Sequence, residues 1–335
     1  MSLRVFIKKA VRYVGGYALA RRLNRGLVTI MMYHGVGPTM CHPLSQRKLL
    51  PLDVFEQQLR FYKQYCTPVS LDMVLASREL PPNPIVLTFD DGYKNNYDHV
   101  FPLLVEYNIP ATIFVTTGFI DRKTFLWTDY LEYLVYFANG REQRPAFRQF
   151  INAELNLQVG ADATRVTVDT IKRRLKTVPD AAKTTFLSKM ASVLDVEYDW
   201  QTIPLELQPL SWEEIREMQN SGFVSIGSHT VTHPILSKCD CEKQKHELQS
   251  SKQRISQELR TRCDQFAYPN GQRSDYNCET LRLLRELGYR AALTSIPGYV
   301  LATSSDELQL PRFGTTELAA LRPIVTGVTR WLHKL

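Results

Sequence analysis

The sequence predicts an α/β fold in which a parallel sheet, open or closed into a barrel, alternates with helices. Three observations carry this expectation. Short apolar, β-branched runs alternate with helical patterns along most of the chain. Start and stop signals frame several of the helices. The length of 335 residues, 44% hydrophobic and 22% charged, suits one barrel with a large core.

In chain order, Val28–Tyr33 reads as the first strand, and Phe55, Leu59 and Tyr62 mark one face of the helix that follows. Ile85–Phe89 and Ala111–Thr117 are the next strands. Val224–Gly227, Gln265–Tyr268, Ala291–Thr294 and Leu308–Phe313 complete the set. Between them, Ser211-Trp212-Glu213-Glu214 opens a helix with a capping box. Cys241–Arg262 is a long charged helix, and Glu279–Leu287 stops at Gly288, where glycine accepts the left-handed turn. From about 135 to 208 only helical patterns occur, such as Asp169–Val178 and Asp180–Leu194. This stretch reads as a helical insertion in one strand-to-helix loop. In a barrel it would stand at the mouth and wall the active site.

Residues 1–26 form a basic segment in which seven Arg and Lys residues interleave with apolar side chains. Gly15 and Gly16 interrupt it, and Arg21 and Arg22 follow closely, so it does not read as a secretion signal. It is predicted to be a basic amphipathic helix, either lying on an anionic membrane surface or packed on the outside of the main domain, residues 27–335. The basic run from Arg322 to Leu335 is a weaker second candidate for such contact. No run of eighteen apolar residues occurs, so no spanning helix is expected. Together these features favour the cytoplasm, with peripheral contact at the inner face of the membrane. The six cysteines show no paired framework and are expected to be reduced; Cys239 and Cys241 alone are a weak zinc signal. The net charge of +7 comes without interleaved basic and aromatic motifs, so nucleic acid is not expected as a partner.

The chemistry concentrates at predicted strand ends. Thr88-Phe89-Asp90-Asp91-Gly92 follows an apolar run, so two adjacent carboxylates stand at the carboxyl end of a buried strand. Such a pair resists ionisation unless a cation or shared proton compensates, although Asp-Asp-Gly also occurs in ordinary turns. Ser228-His229-Thr230-Val231-Thr232-His233-Pro234 follows another apolar run. Histidines four apart can point the same way from one helical turn and hold one ion, though the spacing also arises by chance. With an aspartate they form a two-His, one-carboxylate set that leaves positions for water and substrate.

At these residues the chain resembles the polysaccharide deacetylase superfamily, with its nodulation-type (NodB) homology domain and carbohydrate esterase family 4 members. The resemblance covers roughly residues 28–120 and 209–315. It implies a distorted (β/α)7 barrel, a divalent metal on Asp91, His229 and His233, and Asp90 as general base. Phe266-Ala267-Tyr268-Pro269-Asn270-Gly271 resembles the family's third motif, which implies an oxyanion-binding backbone amide at Asn270 and substrate contacts at Tyr268 and Pro269. Ala267 stands where the family carries an arginine that contacts the base. Arg312 is the candidate replacement, the alternative being a salt bridge at the rim. The family's late His-Asp strand is missing. Instead, Tyr33-His34 resembles the permuted branch that includes poly-N-acetylglucosamine deacetylases, which implies His34 as general acid rather than a strand-end His bonded to backbone. Trp127 and Asp129 open a helical pattern and are candidates for stacking on a sugar and bonding its hydroxyls, or for a packed Trp and a helix cap.

The expected activity is hydrolysis of N-acetyl groups on amino sugars of a polysaccharide or glycan precursor. Zinc is the first choice of metal, with cobalt, nickel or iron also compatible. Two alternatives stand beside it: removal of formyl or another acyl group from a lipid-linked amino sugar, and a non-catalytic membrane-associated binding protein.

Overall fold

The structure is a computed structural model and describes residues 16–38, 44, 49–77, 79–138, 144–157, 165–197, 199–301, 306–314 and 317–332. The chain enters through a helix, Gly16–Leu23 (α1), and passes into a buried strand, Thr29–Tyr33 (β1). A short parallel pair, Gly35–Gly37 (β2) and Leu49–Pro51 (β3), precedes Leu52–Tyr65 (α2). Phe55, Leu59 and Tyr62 are buried along one face of α2, as their spacing predicts. Thr67–Pro68 (β4), Leu71–Ala76 (α3) and Pro84–Phe89 (β5) follow. A π-helical turn, Asn96–Val100, and the helix Phe101–Glu106 (α4) lead to Ala111–Val115 (β6). Every residue of β5 and β6 is buried, the signature of parallel strands covered on both faces.

Helices then take over: Thr117–Ile120 (α5), Trp127–Ala138 (α6), Arg144–Leu155 (α7), Arg165–Leu175 (α8), Asp180–Leu194 (α9) and Trp212–Asn220 (α10). Strand order resumes with Val224–Ser228 (β7), Cys241–Leu259 (α11), Gln265–Ala267 (β8), Cys278–Glu286 (α12), Ala291–Leu293 (β9) and Phe313–Gly314 (β10). Leu318–Val325 (α13) and Val328–Leu332 (α14) close the described chain.

The main sheet is parallel throughout and runs β10-β1-β5-β6-β7-β8-β9, with β4 paired beside β5. A parallel bridge between Leu293 and Leu310 brings the two ends of this path together, so the curled sheet forms a distorted seven-stranded barrel. The closing strand is much shorter than Leu308–Phe313 predicts. Glu307–Gln309 is a 3-10 turn capped by the Asp306 side chain, and only Phe313 and Gly314 pair with β1. Pro311 has no N–H to give a ladder at that point.

Two features outside the sheet matter for function. Helices α6 to α9 share their own core, including Leu131, Leu134, Phe147, Ile171 and Met190. Helix α1 packs through Ala20 on Val328, and the Asn24 side chain donates to the Ala20 and Thr326 carbonyls at 3.0 and 3.1 Å. The second half of the predicted basic segment thus lies against the C-terminal helices; residues 1–15, and 333–335 of the basic tail, lie outside the described residues. Among the described residues no helix is long and apolar enough to cross a membrane. The described cysteines are free thiols.

Candidate active site

Parallel pairing delivers the chemistry to one end of the barrel. Asp90 and Asp91 follow β5, and His34 follows β1 in the neighbouring position, since Tyr33 pairs with Phe89 and its carbonyl accepts from Asp90 N. His229 follows β7, held by a 3.0 Å bond from its N–H to the Val115 carbonyl. Asn270 follows β8, and Arg312 immediately precedes β10. The first five stand at the carboxyl-terminal face, where barrels place their sites, and the Arg312 side chain reaches Asp90 from the amino end of β10.

The turn after β5 is sharp. Asp91 has φ +80 and Gly92 φ +89, a backbone that favours Gly and tolerates Asp. The His229–His233 segment is an irregular loop, not the helical turn its spacing suggests. Thr230 and His233 both take left-handed φ values, +69 and +57, which break a helix yet bring the two imidazoles to 4.8 Å between centroids. Strain of this kind persists where surroundings over-determine it.

The donor set suits a divalent metal. Ligand atoms of Asp91, His229 and His233 all lie within 4.8 Å of one another, and all three residues are buried. Asp91 Oδ1 is 3.5 Å from His229 Nε2 and 3.3 Å from His233 Nε2. His229 Nδ1 donates to the Ala267 carbonyl at 2.7 Å, which leaves the Nε2 lone pair facing Asp91. Burial pulls His229 down to about 4 despite the opposing pull of Asp90, and burial and then His229 hold His233 well below its ordinary value. Both rings are therefore neutral donors at neutral pH, as metal ligation requires. Two imidazoles and one carboxylate match zinc, cobalt, nickel or iron.

Asp90 is held differently. Arg312 Nη1 and Nη2 each donate to one of its oxygens at 2.7 Å, a bidentate pair in which the guanidinium is fully buried. Arg312 Nε is fixed by the Thr294 carbonyl at 2.9 Å, and Nη1 also reaches Thr88 Oγ1 at 3.2 Å. Burial alone would raise the Asp90 pKa; Arg312, with His229 and His34, outweighs it and holds the group at about 2. Arg312 is thus buried against Asp90 rather than in a rim salt bridge.

Asp90, Asp91, His229 and His233 line a cleft of about 590 Å³, while Arg312 is buried outside its lining. His34 is open to solvent inside it, although protein surrounds it closely enough that desolvation lowers its pKa, with Asp90 and Asp129 opposing and Arg312 reinforcing. The His34 carbonyl accepts from Asn96 Nδ2 at 2.8 Å. Asn270, with φ +59, lines the cleft, and its buried side-chain Nδ2 has no acceptor among the described residues. Tyr268 touches the cleft but is 1% exposed, stacked on Tyr276 with its hydroxyl donating to the Leu308 carbonyl at 2.7 Å. Pro269 is buried and outside the lining. Asp129 lines the cleft and accepts from Tyr93 Oη at 2.8 Å. Trp127 does not reach it. It is buried in the core of α6–α9 with Lys183 Nζ over its ring at 4.8 Å, so no sugar can stack on it there.

Sequence reasoning missed several lining residues. Tyr93 lies two residues beyond Asp91, and that proximity is the signal that could have found it. Glu132, Asp169 and Lys172 come from α6 and α8, and Lys172 pairs with Glu132. No local signal marks them, because only the packing of α8 against α6 brings them to the cleft.

A curled parallel sheet with a neutral His pair, an aspartate and a second, arginine-locked aspartate at its carboxyl end defines a hydrolase of the deacetylase-barrel class. The polysaccharide deacetylase family model matches residues 77–292, and the chain belongs to that family. YxkH of Bacillus subtilis (strain 168) is 22% identical over 283 residues, covering 83% of this chain and 67% of that protein. Streptococcus pyogenes deacetylase PplD, solved with acetate, has a TM-score of 0.56 at 21% identity, over 87% of this chain and 93% of that one. IcaB from Ammonifex degensii gives 0.54 at 20%, over 90% and 96%. A de-N-acetylase from Aggregatibacter actinomycetemcomitans gives 0.57 at 14%, over 89% and 99%. These likenesses establish a shared fold.

Proposed function

We propose that this polysaccharide deacetylase family member is a metal-dependent N-deacetylase acting on amino sugars of a polysaccharide or glycan precursor, with zinc as the first choice of metal. The observation that carries this reading is the juxtaposition of the Asp91, His229 and His233 donors with an arginine-paired Asp90 in one cleft. A divalent ion in that donor set would polarise the acyl carbonyl and acidify water. Asp90 then takes the proton of the attacking water, the Asn270 amide faces the oxyanion, and His34 gives a proton to the leaving amine. Arg312 keeps Asp90 ionised in the resting site and oriented for the attack. Asp129 supports a substrate contact by its place in the cleft, Tyr268 acts where it touches the cleft, and Pro269, outside the lining, acts only through the backbone it fixes before Asn270.

The reading extends to a cytoplasmic location with peripheral contact between residues 1–26 and anionic lipid. The exposed Arg22, with Leu19 60% and Leu23 66% exposed on α1, supports the lipid contact. The experiment is acetate release from acetylated oligosaccharides, lipid-linked amino sugars and sugar nucleotides, by protein stripped with chelator and reloaded with zinc. Activity that returns with zinc and vanishes in Asp91→Ala, His229→Ala and His233→Ala is expected. Full turnover in chelated protein, or in any of the three variants, would overturn the proposal.

A further inference from the structure

The loop carrying His229 and His233 is strained at Thr230 and His233, so something must hold it, and its own hydrogen bonds are few. His233 N donates to Thr230 Oγ1 at 3.0 Å, and α5 supplies two more ties: Thr117 N to the Thr230 carbonyl at 3.1 Å and Gly118 N to the Val231 carbonyl at 2.9 Å. At the loop's start Thr116 Oγ1 donates to the His229 carbonyl at 3.2 Å and His229 Nδ1 to that of Ala267, but the Val231 and Thr232 N–H groups at its apex are held by one side chain. Glu247, in the middle of α11 and 1% exposed, accepts from Val231 N at 2.8 Å and Thr232 N at 2.9 Å through Oε2. Its Oε1 accepts from Thr232 Oγ1 at 2.6 Å. No basic side chain pairs with it among the described residues; three donors of the loop satisfy the carboxylate. One turn on, Ser251 Oγ bonds Ser228 Oγ at 2.7 Å, so α11 grips the strand end and the loop apex together.

We propose that Glu247 is a positioning residue for the metal site: its buried carboxylate fixes residues 231 and 232 and thereby aims His229 and His233 at Asp91. This rests on the metal-site reading above. A buried anion that receives two backbone N–H groups and a hydroxyl is a strong local constraint, because hydrogen bonds to charged groups are about twice as strong as neutral ones. It touches no ligand atom. Its effect is on the loop conformation, hence on the fit of the donors, and partners of this kind typically change metal affinity by about 10- to 100-fold when removed.

The test measures Zn2+ affinity by competition with a chromophoric chelator, on full-length protein well below its melting temperature, alongside apo-protein melting and turnover at saturating zinc. Glu247→Ala is expected to weaken zinc binding about 10- to 100-fold. Glu247→Gln keeps the shape, since its carbonyl can still accept from both N–H groups, and should lose several-fold. Gln244→Ala removes buried hydrogen bonds to Thr280 and the Cys239 carbonyl on the same helix, so it controls for generic destabilisation. It should lower apo stability and leave zinc affinity unchanged. Zinc affinity equal to wild type in Glu247→Ala, or an equal loss in Gln244→Ala, overturns the proposal. Should Glu247→Ala not fold, Glu247→Gln decides: a several-fold loss supports the role and wild-type affinity refutes it. Failure of the wild-type protein itself to bind zinc would instead sink the metal reading on which this one stands.

Discussion

Removing the Arg312 guanidinium would leave the Asp90 carboxylate buried with only neutral imidazoles nearby, and breaking one side of a buried pair costs about 3–5 kcal/mol. Arg312→Met should therefore lower stability by that order, measured by denaturant melts, while the double variant with Asp90→Asn should recover much of the loss. The pH dependence has a definite sign. Asp90 sits at about 2 when folded against an ordinary 3.8, so its stabilising contribution is complete above 3.8 and is lost as pH falls through about 2. Arg312→Met should raise the Asp90 pKa, moving the acid limb of kcat/KM upward; an unmoved limb would show that another group is the base. His34 gives the opposite limb. Desolvation holds it below 6.5, so kcat/KM should decline above a pKa lower than that value. His34→Gln should abolish this decline and lose more rate on an amide than on an acetyl ester, whose leaving group needs less protonation. Equal losses on both, with the decline retained, would make His34 structural.

At the scale of elements, α11 is the organising helix. Glu247 holds the histidine loop, Lys243 pairs with Asp180 of α9, and Arg254 Nη2 bonds Asp121 beside α5 at 2.9 Å. The opposite side of the loop depends on Gly118, where an added Cβ would stand 2.6 Å from the Val231 carbonyl oxygen. Gly118→Ala should thus displace the loop and weaken zinc binding, while leaving the far-UV spectrum near wild type; unchanged zinc affinity would refute the close approach. The strand ends were legible in sequence because apolar runs stop abruptly at Asp90, His229 and Asn270. The histidine loop was not, since i, i+4 spacing reads as a helical turn and positive φ at Thr230 and His233 leaves no mark in composition. Leu308–Phe313 misled for a related reason: its apolar residues are buried, but Asp306 and Pro311 convert most of it into a turn and a bridge. Trp127 is apolar at a helix start whether it faces a sugar or a core, and only packing decides.

At the scale of the whole molecule, the first and last elements of the described chain meet. Because Ala20 and Asn24 anchor α1 to the C-terminal helices, a truncation that tests lipid contact should stop before residue 16. Deletion of residues 1–15 is expected to weaken sedimentation with anionic vesicles and leave turnover on a soluble substrate intact, with wild-type binding falling as salt rises. Vesicle binding unchanged by the deletion would place the contact elsewhere. The seam between β10 and β1 has a temporal consequence too. Asp90 and Arg312 are 222 residues apart in sequence, so a nascent chain leaving the ribosome carries the carboxylate long before its counter-ion exists. At about 5–20 residues per second that interval is roughly 10–45 s, during which β1 has an unpaired edge and the carboxylate no reason to bury. The Asp90–Arg312 pair can form only when the last strand docks, so a stalled or prematurely terminated chain lacks it however much of the barrel it contains.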